Sequence, residues 1–136
     1  ELLTAAAEKR FLVQITAQME DERTQHPLMQ VPPVDLKPLR AALEKVPQAR
    51  VMVLNANRAM SMTALQGCNV ILDIAMLEGV GGIENLFKDW PLERLVFGSH
   101  APLVDFESAK LKLQESDLSD QQLNAIRHEN AQRLLA

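Results

Sequence analysis

The histidine of RLVFGSHAPLVDF, residues 94–106, stands where an apolar run (Leu95, Val96, Phe97) opens through a Gly98-Ser99 turn. In parallel α/β folds, polar residues at the C-terminal ends of buried strands line ligand sites. An imidazole there can ligate a metal, move a proton near neutral pH, or serve as a hydrogen-bonded structural group. Asp73 raises a related question, because it interrupts the apolar run NVILDIAML. A buried carboxylate without a partner is costly, so Asp73 must face a polar cavity or be hydrogen-bonded. His100 and Asp73 are therefore the candidate catalytic residues.

Other residues could bind a substrate. Asn55, Asn57 and Arg58 form one oxyanion-binding candidate, although Asn is also a common strand-end residue. MEDERTQHP, residues 19–27, brings Glu20, Asp21, Glu22, Arg23 and His26 together. It reads as a substrate-facing loop, with Arg23 clamping a carboxylate or His26 acting as acid or base. A solvated loop turning before Pro27 is the plainer alternative. Gly79, Gly81 and Gly82 precede a helix and could present N–H groups to a phosphate. They lack the Gly-Lys-Ser/Thr ending of a P-loop, so an ordinary βα turn is the better reading. Cys68 reads as a buried thiol, His128 as a surface residue and Trp90 as a packing anchor.

The elements that must position these residues alternate. Four apolar runs of strand length occupy 11–19, 49–56, 69–77 and 94–99. Segments of helical spacing follow them at 36–46, 59–65, 82–90, 105–116 and 119–136. Alternation of this kind predicts βα units and a parallel sheet covered by helices. An open doubly wound sheet and half of a (β/α)8 barrel both satisfy it. The first run puts Gln14, Thr16, Gln18 and Glu20 on one face and Val13, Ile15, Ala17 and Met19 on the other. The second leads from Val51 and Val53 to Asn55 and Asn57 on a shared face. Polar residues thus gather at strand C-termini, where a barrel builds its site, which favours the barrel.

The chain has 136 residues, 47% of them hydrophobic, which suits a single core. Its net charge of −4 and scattered basic residues argue against a nucleic-acid surface. No apolar stretch approaches the roughly 20 residues needed to span a bilayer. One cysteine allows no internal disulfide and, with no visible signal peptide, favours a cytoplasmic location. ELLTAAAEKR reads as a helix already under way, with Leu2, Leu3, Ala6 and Ala7 on one face and its cap missing upstream. The expectation is a piece of something longer.

LVFGSHAP together with the ending HENAQRLLA resembles the C-terminal end of the amidohydrolase-related metal-dependent hydrolases. There the last barrel strand reads FGSD followed by a Pro, and the last helix ends in NA-x-RLL. Phe97, Gly98, Ser99 and Pro102 fit the first pattern; Asn130, Ala131, Arg133, Leu134 and Leu135 fit the second. NVILDIA looks like the seventh strand. The resemblance implies an α/β fold, the C-terminal half of a (β/α)8 TIM barrel: four parallel strands (five to eight) alternating with helices, plus a C-terminal helix, as one domain over residues 1–136. It also implies hydrolysis or decarboxylation of a small molecule with one or two divalent metals. Its histidines on strands five and six would fall at about Thr16 and at Asn55, and its strand-eight aspartate at His100. None of the three expected residue types is present, so no residue here is assigned to a metal.

Three functions follow as expectations. The first is a divergent hydrolase or small-molecule-binding relative without the usual metal ligands, its pocket lined by Thr16, Gln18, Asn55, Asp73 and His100. The second is an active metal-dependent hydrolase holding zinc or another divalent ion, with an N-terminal half supplying a His-x-His pair and His100 and Asp73 replacing the usual ligands. The third is a non-catalytic assembly module. In each, two open sheet edges call for a partner, either the N-terminal half of the same barrel or a second copy.

Overall fold

The four apolar runs each supply a short strand in the computed structural model, which describes every residue except Glu22 and Thr24. The strands are β1 (Leu12–Thr16), β2 (Arg50–Leu54), β3 (Ile71–Asp73) and β4 (Leu95–Val96). They pair in parallel in the order β1-β2-β3-β4. The helices are α1 (Leu2–Glu8), α2 (Lys37–Lys45), α3 (Arg58–Leu65), α4 (Gly82–Phe87), α5 (Phe106–Glu115), α6 (Asp120–Asn124) and α7 (Asn130–Leu135), with a π-helical turn, Ala125–Glu129, joining the last two. Among the described residues, no helix is long and apolar enough to cross a membrane.

Each strand is shorter than its apolar run. The excess lies at the ends, where the backbone leaves the ladder to form turns. The register aligns Ile15, Val53, Leu72 and Leu95 across all four strands. That row faces the helices, and Val53, Leu72 and Leu95 are fully buried against Leu65, Leu86, Leu113 and Ile126. Alternation sends Gln14, Thr16, Met52, Ile71, Asp73 and Val96 to the opposite face. Trp90 and Cys68 are buried in the core, as their sequence reading held. Leu2 is not: it is 77% exposed, and Ala6 alone of α1 is fully buried.

Local signals set the helix ends. Pro38 lies in the first turn of α2, where a missing N–H costs nothing. Asn57 caps α3 by accepting the Met60 N–H at 2.9 Å. Ser119 and Gln122 form a capping box at α6. The closing helix is fastened to β4: Asn130 Nδ2 donates to the Leu92 and Leu95 carbonyls at 2.8 and 2.7 Å, and the Ile126 carbonyl accepts the Phe97 N–H at 2.8 Å.

Candidate functional site

The C-terminal ends of all four strands meet in one hydrogen-bonded cluster. Past β2, Asn55 leaves the strand with a left-handed backbone (φ 58°), and past β4 His100 does the same (φ 54°). Asn and His are among the few non-glycine residues that take this conformation readily. The Asn55 N–H donates to Asp73 Oδ1 on β3 at 3.0 Å. Asn55 Nδ2 donates to the Gln18 carbonyl beyond β1 at 3.1 Å and lies 2.7 Å from His100 Nδ1. His100 Nε2 lies 2.5 Å from the Met19 carbonyl. A carbonyl only accepts, so the proton sits on Nε2, and Nδ1 accepts from the Asn55 amide.

The left-handed turn corrects one expectation. Val51 and Val53 face the helices, so period-2 alternation would carry Asn55 into the core. Its positive φ breaks the alternation and turns the side chain toward β1 and His100 instead.

Asp73 is buried on the face opposite the helices, only 4% exposed. Burial pushes its carboxyl above the usual carboxylate range; the N–H groups of Asn55 and Ala75 and the nearby Lys112 charge oppose the rise, as His100 would if protonated. Lys112 of α5 donates to the Ala75 and Ile74 carbonyls beyond β3. Its own burial lowers the ammonium pKa against the pull of Glu78 and Asp73. No spacing in the sequence pointed to Lys112, which reaches the strand end from a helix 37 residues away in the chain.

The other predicted residues divide. Gln18, Arg23, Asn57 and Arg58 line one open cleft of about 370 Å³, together with Asp21, Met76 and Glu78. Arg58 pairs with Asp89 at 2.6 Å and Arg23 with Asp21 at 2.5 Å. Thr16 sits on the site face of β1, partly buried. Glu20 points to solvent and receives the Gln18 amide only at its carbonyl. His26 is exposed and accepts the Leu28 N–H in a local turn, away from His100. Glu22, also part of that loop reading, lies outside the described residues.

The implied metal does not fit these side chains. Both imidazole nitrogens of His100 are engaged by the protein, one donating and one accepting. Asn55 and Thr16 offer neutral oxygens, poor donors for a zinc-like ion beside imidazole and carboxylate. Among the described residues no three His, Cys, Asp or Glu side chains gather into a metal-holding group.

Comparison with solved structures places the fold. A 2,6-dihydroxybenzoate decarboxylase from Rhizobium superposes with a TM-score of 0.72 at 9% identity, over 96% of this chain and 53% of that one. An uncharacterized TIM-barrel protein from Bordetella bronchiseptica gives 0.67 at 16% identity, over 98% and 48%. A putative amidohydrolase from Staphylococcus aureus gives 0.64 at 11% identity, over 98% and 57%. No protein-family model matches the sequence, and no curated protein matches it either. Four parallel strands alternating with helices and closed by a C-terminal helix thus define half of a TIM barrel. More particularly, the fold is shared with a solved decarboxylase and a putative amidohydrolase, and the chain spans about half the length of the solved structures it matches.

Proposed function

We propose that the protein is a divergent member of this barrel class that binds a small polar molecule at the strand C-termini without a resident metal. The convergence of Gln18, Arg23, Asn57 and Arg58 on one cleft carries the reading. These side chains come from the turns after two different strands, the position at which parallel barrels bind ligands. Two guanidinium groups and two amides suit a ligand rich in oxygen acceptors, a carboxylate above all. Asp21 and Glu78 on the same wall favour a ligand that also donates, such as a hydroxy acid.

The solved decarboxylase acts on 2,6-dihydroxybenzoate, which makes that compound a reasonable first probe. Calorimetric titration of the intact protein with 2,6-dihydroxybenzoate, benzoate and lactate tests the reading. Binding of at least one, weakened tenfold or more by Arg58→Ala, supports it. Equal affinity in the variant, or no heat with any of the three, removes it. Catalysis by His100 and Asp73 is the second reading. It draws on the raised carboxyl of Asp73, which suits proton exchange nearer neutrality, and a pH–rate profile unchanged in His100→Ala would dismiss it.

A further inference from the structure

We infer that Asn55 and His100 form a hydrogen-bonded cross-tie that does the positioning work a shared metal ion does in a barrel of this kind; the inference rests on the metal-free reading above. An ion bound by side chains from several strands holds the strand ends in one geometry, because each ligand must satisfy the same centre. Here the same ends are joined by a chain of bonds. Gln18 and Met19 beyond β1 offer carbonyls, Asn55 beyond β2 supplies three of the contacts, Asp73 on β3 accepts its backbone N–H, and His100 beyond β4 completes the set.

The direction of every bond is determined, which distinguishes a tie from a chance cluster. Met19 can only accept, so the ring proton is on Nε2. Asn55 must present its amide N–H₂ rather than its carbonyl, because the Gln18 carbonyl beside it also only accepts, and Nδ1, facing the same nitrogen, therefore holds a lone pair. The second amide hydrogen goes to Gln18. Flipping the Asn55 amide would set its oxygen against both the Gln18 carbonyl and the Nδ1 lone pair. Asn55 is 1% exposed, so its bonds act at lower dielectric than the His100–Met19 bond, which lies at the surface. Both residues take a left-handed backbone, and in that conformation their side chains meet. A metal ligand would need a free ring nitrogen, so tie and metal exclude each other at His100.

Two measurements on the intact protein test the tie. In thermal unfolding, Asn55→Ala and His100→Ala each lower the midpoint, the double variant lowers it by less than the sum of the two, and EDTA leaves the unvaried protein unchanged. In ¹⁵N–¹H correlation spectra, the His100 ring of the unvaried protein shows the proton on Nε2 and does not shift when zinc is added, a readout that stands even if a variant fails to fold. Additive losses, or a ring that mixes tautomers, would overturn the tie and leave the metal-free reading standing. A midpoint lowered by EDTA, or a ring nitrogen that ligates zinc, would overturn both.

Discussion

A Cβ placed on Gly98 would stand 2.7 Å from both Cβ and Oδ2 of Asp73. The glycine of the FGSH turn is thus a consequence of the carboxylate on the neighbouring strand. Asp73 and Val96 are register partners, and two residues later the backbone beyond β4 passes directly across the Asp73 side chain. The same carboxylate accepts the Asn55 N–H through Oδ1. Gly98→Ala should destabilise the protein by about 1–3 kcal/mol, the usual cost of overpacking. Denaturant unfolding checks this, and pairing it with Asp73→Gly, which removes both contacting atoms, should recover part of the loss by making room for the methyl.

Asp73 also gives a pH dependence with a definite sign. Its folded pKa lies above the ordinary carboxylate value because burial disfavours the charge. The folded state therefore binds this proton more tightly than the unfolded chain does. The resulting stabilisation is fully present below the unfolded pKa and is lost as the pH rises through the folded one. Asp73→Asn keeps an oxygen for the Asn55 and Ala75 N–H groups and has no charge to bury. It should equal or exceed the parent in stability at neutral pH. It should also flatten the slope of stability between acid and neutral pH, measured by unfolding across that range.

Asn130 fastens the closing helix to the β4 segment. It is 3% exposed, and its amide satisfies two carbonyls at once, those of Leu92 and Leu95, while Arg133 donates to its oxygen. Asn130→Ala takes a donor from both carbonyls; that of Leu92 keeps the Leu95 N–H, so the expected cost is about 1–3 kcal/mol, set mainly by the buried Leu95 carbonyl. Hydrogen exchange should show the Ala125–Leu135 segment and β4 opening together in that variant, and a segment that stays protected would contradict the anchoring role.

Asn57 is expected to carry both a cap and a wall of the cleft. Asn57→Ala should cost about 0.5–2 kcal/mol through loss of the α3 cap. Asn57→Asp restores an oxygen for the Met60 N–H, so thermal unfolding should show it near the parent, whereas carboxylate binding in the cleft should weaken through added negative charge.

Core mutations give the contrast. Leu65 and Leu86 are fully buried under the sheet, and truncating either to Ala should cost about 2–5 kcal/mol with no specific effect on ligand affinity. Comparing the unfolding and titration of these variants with those of Arg58→Ala separates damage to the fold from damage to the cleft, because Arg58 is an exposed ion pair worth about 1 kcal/mol or less.

The alternation of strand and helix, the single core and the apolar row that faces the helices were all legible in the order of residues. These follow from hydrophobic periodicity, which is local and survives in any parallel βα arrangement. The sequence also pointed to Asp73, Asn55 and His100, because polar residues ending apolar runs stand out. Only the tertiary structure decided how they meet. Period-2 alternation sends Asn55 into the core, and a positive φ, which no composition rule supplies, turns it instead toward β1 and His100. The partners that engage His100 come from 45 and 81 residues away, and one of them is the Met19 backbone carbonyl, a group that every residue carries and no side-chain pattern can flag. Local periodicity records which face a residue occupies; the orientation of a proton between two distant strands depends on packing, and only the folded chain sets it.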